Sequence, residues 1–239
     1  MNPLLAALQF LTVLPVNADF SDRDRALSQL WFPAVGFVFG TVLVALSAVN
    51  SHTPLVGGAL VVLCWAALSG GLHLDGLADS ADAWAAGRGD RERALQVMKD
   101  PACGPAGVVT VVCILLAKFA AVAALIGQGQ IWVLAAAPLL GRTAVLALFA
   151  STPYAREKGL GTPYVEQVSR ANLLIGAGLG ALGAMVFASI VPVLIAAALL
   201  YALRALMMRH LNGMTGDTLG ASIEVVECGT LLSAALLFA

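Results

Sequence analysis

Apolar stretches long enough to cross a bilayer alternate along this chain with polar connections, and the cations fall in every second connection. Trp31–Val49, Pro54–Leu72, Ala106–Ile126 and Ile131–Ala150 supply four spans. The apolar run Asn172–Arg204 is about twice what one helix needs and divides at Val191-Pro192 into two more. A last span begins near Thr215 and reaches Ala239. Apart from Lys118 and Arg142, every Lys and Arg lies in alternate connections: Arg23 and Arg25; Arg88, Arg91, Arg93 and Lys99; Arg156, Lys158 and Arg170; Arg204 and Arg209. The turns near 50–53, 127–130 and 189–191 carry none. Seven spans with a cytoplasmic N-terminus satisfy the positive-inside rule at each connection. A miscounted span would scramble that agreement. The expected fold is therefore an all-α integral membrane protein, a polytopic helical bundle of about seven spans forming one domain over residues 1–239.

Composition agrees. The 239 residues are 60% hydrophobic and only 11% charged, against about 25% charged in soluble domains. A net charge of −1 with no basic region excludes a nucleic-acid binder. Residues 3–15, bounded by Pro3 and Pro15, are too short to span and read as a surface-lying or re-entrant helix. With no cationic start and no small-residue cleavage site, this stretch is expected to stay in the mature protein. Cys64, Cys103, Cys113 and Cys228 show no C-x-x-C spacing and predict no disulfide framework. Gly36 with Gly40, and Gly176 with Gly180, have the small-x-x-x-small spacing of closely packed membrane helices.

The chemistry is concentrated in Gly70–Trp84, Gly-Gly-Leu-His-Leu-Asp-Gly-Leu-Ala-Asp-Ser-Ala-Asp-Ala-Trp. Asp75, Asp79 and Asp82 stand at i, i+4 and i+7, so a helix presents all three within roughly 60° of one another. Like charges at such spacing repel and call for a cation. An all-oxygen set suits Mg²⁺ better than Zn²⁺. A merely solvated acidic face is the competing reading, but the flanking residues are nearly all apolar or small and form no long polar face. His73, two residues before Asp75, points away from the carboxylates on a helix and reads as an interfacial structural histidine.

A second acidic group follows in Thr215–Glu227. Asp217 and Glu224 share a helix face and Glu227 lies roughly 60° away. Carboxylates this far into a span must face a polar cavity or a cation. Lys118 and Arg142, the two cations inside spans, are candidates to meet them. Lys118 can pair with Glu224 or Glu227, while Arg142 can hold a phosphate or balance the acids. The loops Arg88–Gly107 and Tyr154–Gly161 join cations to permissive glycines and can hold phosphates through Arg forks and open N–H groups. Anchoring by the positive-inside rule explains the same charges without a ligand. His52 and His210 carry no signal.

Gly71-Leu72-His73-Leu74-Asp75-Gly76-Leu77-Ala78-Asp79-Ser80-Ala81-Asp82 and Gly216-Asp217-Thr218-Leu219-Gly220-Ala221 resemble the two signatures of the cobalamin synthase family, the adenosylcobinamide-GDP ribazoletransferases. The resemblance extends through Phe10…Leu14-Pro15, Phe32-Pro33…Gly36, Val97-Met98-Lys99-Asp100 and Tyr154–Gly161, nearly the whole chain in order. It implies a Mg²⁺-dependent, multi-pass enzyme of the inner membrane with its active site facing the cytoplasm. Such an enzyme joins α-ribazole, or its 5′-phosphate, to adenosylcobinamide-GDP and releases GMP. Asp75, Asp79 and Asp82 would then hold the metal, and Asp217 and Glu224 would complete its coordination or accept the attacking proton. Lys99, Arg142 and Arg156 would steady the leaving phosphate. Partners beyond these substrates and the bilayer, whether a second copy of the chain or other membrane proteins of the cobalamin pathway, stay open. The Asp-Gly…Asp…Asp element is also similar to the CDP-alcohol phosphotransferases, whose longer spacing and Ala-Arg pair are missing here. A cation-coupled transporter is a further alternative. It predicts mid-span acids and inverted repeats, whereas Asp75–Asp82 follow the end of a span. A non-catalytic scaffold would need no clustered acids.

Overall fold

The computed structural model describes residues 2–16, 18–156 and 168–239. A short helix α1 (Pro3–Leu11) opens the chain, capped by the Asn2 side chain, which accepts from the Leu4 N–H. It lies against the bundle, and the Val13 N–H donates to the Leu68 carbonyl. After α2 (Asp22–Ser28) and a single 3-10 turn comes α3 (Phe32–Val49). Next are α4 (Pro54–Ser69), α5 (Leu72–Gly87) and the short α6 (Arg91–Val97). The long helices α7 (Pro105–Gly127), α8 (Val133–Ser151), α9 (Arg170–Ala188), α10 (Ile190–Leu211) and α11 (Gly216–Leu237) complete the described chain. Among the described residues there is no strand, and the four cysteines are unpaired.

Among the described residues six helical segments are long and apolar enough to cross a membrane, and a seventh is counted if the bent pair α4–α5 is taken as one span, with α4 as its apolar arm. The expected span Pro54–Leu72 stops earlier, at Ser69, because Gly70 and Gly71 both adopt left-handed backbone, with φ of 60° and 73°. Only glycine takes that region without a steric penalty, and the two together turn α5 by 87° from α4. The acidic motif thus leaves the span and runs across the end of the bundle. The break in the long apolar run also shifts, to Ser189 (φ 61°). Pro192 falls in the first turn of α10, where its missing N–H costs nothing.

Helices α8 and α11 form the interior. In α8, 89% of the apolar window is buried, against 22% in α9 and 28% in α10. The latter two turn leucines and valines such as Leu179, Val186 and Leu194 outward, as lipid-facing helices do. Small residues set the closest crossings. A Cβ at Gly40 would come within 2.5 Å of the Ala135 Cα, and Gly36 lies directly against the Pro138 carbonyl. Gly176 and Gly180 meet Leu146 and Thr143 in the same way. Both glycine pairs are therefore packing residues.

The two ends of the bundle are distinct. At one, Gly57 abuts Asn50 and Ile126, Gly127 abuts Pro54, and the Gln128 side chain donates to the Ala235 carbonyl at 3.1 Å. This end gathers the cation-free turns. At the other, the segment after α8 pairs with the start of α11 through Ala155 N–H to Met214 O and Met214 N–H to Pro153 O, both 2.8 Å. Arg91 clamps α6 there by donating to the carbonyls of Leu211 and Ala155 at 2.8 Å each. Arg204 closes the last turn of α8 through the Ser151 carbonyl. The cation-bearing connections thus share one end, as the charge alternation requires.

Candidate active site

The acid-bearing end is built where α5 crosses α11, and two glycines make the crossing possible. A Cβ on Gly76 would lie 2.7 Å from the Asp217 carbonyl oxygen, and one on Gly220 would lie 3.3 Å from the His73 Cα. No side chain separates the two backbones. The contact carries the start of α11, with Asp217, up against the Asp75–Asp79 face of α5. Sequence reading assigned no role to these glycines. Their place inside both acidic motifs was the available signal.

Asp75 is exposed and Asp79 half-buried. Burial first, then the charges of Asp75, Asp217 and Asp82, push the Asp79 carboxyl up to about 6, with only Arg156 opposing them. The face therefore carries more negative charge than its own cations balance. Asp217 accepts from Arg156 at 2.7 Å and lies 3.4 Å from the Thr215 hydroxyl. Thr215 in turn forms a reciprocal capping box with Thr218 that fixes the first turn of α11. The Arg156 Nε has no partner among the described residues. Lys99 is exposed just beyond α6. Glu157 to Gly161 of the second candidate phosphate loop lie outside the described residues.

Asp82 sits differently from its two neighbours. It is nearly buried, and its two oxygens accept from the Gly104 and Gly107 N–H groups at 2.6 and 2.8 Å. It therefore caps α7, satisfying N–H groups that no helical carbonyl reaches and placing its charge at the positive end of the helix dipole. Gly104 and Gly107 are required, since a Cβ on either would fall 2.5 Å from a carboxylate oxygen. In this structure Asp82 fastens α5 to α7.

Glu224, Glu227, Lys118 and Arg142 form a separate group deeper in the bundle. Lys118 Nζ donates to Glu224 at 2.7 Å and to Glu227 at 2.6 Å, and Arg142 pairs with the other oxygen of Glu227. The two cations also rest on aromatic faces, Lys118 4.5 Å from the Trp65 ring centroid and Arg142 4.8 Å from that of Phe39. All four are buried and their charges cancel. Arg142, read as holding a phosphate or balancing the acids, is wholly buried in this quartet on the Glu227 carboxylate. Glu224 shares a helix with Asp217 but stands about 10 Å further along its axis, where it neutralises Lys118. His73, read as an interfacial structural histidine, lies at the start of α5, near the turn from α4. It is 3% exposed, packed beside Gly220, and neither ring nitrogen has a partner among the described residues.

Among the described residues no three Asp, Glu, His or Cys side chains converge tightly enough to enclose an ion unaided. They do not form a closed, all-protein cage. Mg²⁺ does not need one, because it is commonly held by one or two carboxylates with substrate phosphates supplying further ligands. The uncompensated oxygen face around Asp79 fits that mode of binding.

Fold and site together define a polytopic helical membrane protein with an acidic, solvent-facing site at one end of its bundle. The chain matches the family model described as cobalamin-5-phosphate synthase (CobS) over residues 3–235, and it belongs to that family. It is 47% identical over 243 residues to an adenosylcobinamide-GDP ribazoletransferase of Pseudomonas savastanoi pv. phaseolicola, covering 99% of this chain and 100% of the relative. A ribazoletransferase of Pseudomonas fluorescens is 48% identical over 242 residues, with the same coverage. One from Pseudomonas aeruginosa is 44% identical over 241 residues, covering 99% of this chain and 98% of the relative. No solved structure matches. The family membership favours the transferase reading over the transporter and the lipid phosphotransferase.

Proposed function

We propose that this adenosylcobinamide-GDP ribazoletransferase works through Mg²⁺ held against the substrate diphosphate by Asp75 and Asp79, on the cytoplasmic side of the inner membrane. The observation that carries the reading is the unbalanced carboxylate face. Burial and three neighbouring acids raise Asp79 to about 6, which a divalent cation would relieve. A cation there would neutralise the diphosphate and polarise its P–O bonds. A ribose hydroxyl of α-ribazole, or of its 5′-phosphate, attacks the phosphorus on the cobinamide side, a new O–P bond forms, and the P–O bond to GMP breaks. Asp217, oriented by Arg156 and Thr215, is positioned to accept the hydroxyl proton. Arg156 keeps donors for a phosphate oxygen beyond the one given to Asp217, and Lys99 adds a mobile charge at the same end. Such a displacement needs alignment and charge stabilisation rather than a covalent nucleophile.

Purified protein supplied with adenosylcobinamide-GDP and α-ribazole is expected to release GMP only when Mg²⁺ is present. Proton and metal compete for Asp79. The Mg²⁺ concentration for half-maximal rate should stay flat above about pH 6 and rise up to tenfold per unit below it. GMP release unaffected by chelation would reject the metal reading.

The cytoplasmic placement of the site is supported by the clustering of Arg88, Arg91, Arg93, Lys99, Arg156, Arg204 and Arg209 in connections at the acidic end. In a cysteine-free background, His52→Cys and Gln130→Cys should react with an impermeant thiol reagent from outside the cell. Glu92→Cys should react only after the membrane is opened. Labelling of all three from one side would sink the orientation.

A further inference from the structure

A cavity of about 140 Å³ lies beside the acidic face, between the first turns of α5 and α11 and the adjoining ends of α1, α3 and α8. Its wall is mostly apolar. Phe10 and Phe32 stack at 5.9 Å with their planes 14° apart, and Phe149, Val145 and Ile223 continue the lining. Asp75 and Asp217 belong to the same wall, so the cavity is continuous with the proposed site of reaction. The remaining ionisable side chain is His73, 3% exposed and without a hydrogen-bond partner on either nitrogen among the described residues. Buried polar atoms are nearly always satisfied. An imidazole in the wall of a cavity with no partner among the described residues has an N–H to offer a ligand atom.

We propose that this cavity receives the heteroaromatic base of the acceptor nucleoside, with an N–H of His73 donating to the one ring nitrogen that a glycosylated benzimidazole leaves free. The proposal rests on the ribazoletransferase reading and adds the place and means of acceptor recognition. Size and polarity select among the substrate's parts. A dry cavity of about 150 Å³ accommodates benzene, so this one takes the benzo ring of a benzimidazole and cannot admit a corrin. Guanine carries donors and acceptors along its edges, and an apolar wall with one imidazole would leave most of them unsatisfied. Benzimidazole has a single acceptor to satisfy, and a neutral imidazole supplies a single N–H. With the base seated, the ribose is left on the Asp75 and Asp217 side, where its hydroxyl must react.

The test uses the full chain in detergent, with benzimidazole as the probe in equilibrium dialysis and α-ribazole in turnover. Val145→Phe fills the apolar part of the cavity, and His73→Leu removes the donor at nearly constant volume. Each is expected to weaken benzimidazole binding and raise the KM for α-ribazole at least tenfold. The KM for adenosylcobinamide-GDP should stay within twofold. Since His73 has no hydrogen-bond partner among the described residues, His73→Leu should keep or raise the melting temperature, which a structural role would not permit. Unchanged binding in Val145→Phe, equal rises in both KM values, or a tightly held phospholipid that benzimidazole cannot displace would each overturn the proposal. Dialysis needs no turnover, so the two readings fail separately. GMP release by the wild type without benzimidazole binding rejects the cavity and keeps the reaction. Binding without GMP release rejects the reaction and upholds the cavity.

Discussion

Asp79→Asn is expected to lower GMP release by roughly two to three orders of magnitude while the protein stays folded in the membrane. The substitution keeps the shape of the side chain and removes one charge from the face that carries the excess. Losing about 3–4 kcal/mol of stabilisation along the reaction coordinate corresponds to that factor. Asp75→Asn should behave alike, and excess Mg²⁺ should partly restore both. Asp82→Asn separates anchoring from metal binding. Both Asp82 oxygens accept from α7, so an amide would turn its NH₂ against one of the two N–H groups. That variant should lose melting temperature as well as activity, with no recovery at high Mg²⁺. Near-normal turnover in Asp75→Asn and Asp79→Asn would return the acidic face to mere solvation. A full Mg²⁺ rescue of Asp82→Asn at unchanged stability would make it a ligand after all.

Lys118→Met should destabilise the fold by about 3–5 kcal/mol, because it strands a buried carboxylate. The quartet predicts which second substitution repairs it. Lys118→Met with Glu224→Gln leaves Glu227 paired with Arg142 and should recover a large part of the lost stability. Lys118→Met with Glu227→Gln has the same net charge but leaves Arg142 and Glu224 both unpaired. It should recover little. Thermal unfolding of the purified variants in detergent decides the matter, and equal recovery by the two double variants would refute the pairing scheme.

The chain's own order carried the bundle. Spans, their number and the alternation of cations are properties of composition over windows of about 20 residues, and a bilayer enforces them one helix at a time. The carboxylate face of Asp75, Asp79 and Asp82 was readable for a similar reason, since helical spacing decides which side chains share a side. Lys118 was paired with Glu224 or Glu227 in advance because charges inside an apolar span have few places to go.

What the sequence could not separate were the tasks within each acidic group. Asp82 has the same spacing relation to Asp75 as Glu224 has to Asp217, yet both later members are taken up by neighbouring helices. Asp82 caps α7, and Glu224 neutralises Lys118. Arg142 could by its charge hold a phosphate or balance the acids, and only the packing of α8 on α11 sets it against Glu227. The sequence did not show what covers His73, and it is Gly220 that lets α11 come close enough to do so. Residues 70–84 determined by themselves that a helix would carry its acids on one side, while the turn at Gly70 and Gly71 that swings this helix off the span came only with the structure. Only the crossing of α5 with α11 and the seating of α7 on Asp82 decided which acids remain open, because a carboxylate's availability depends on which N–H groups and cations reach it through space.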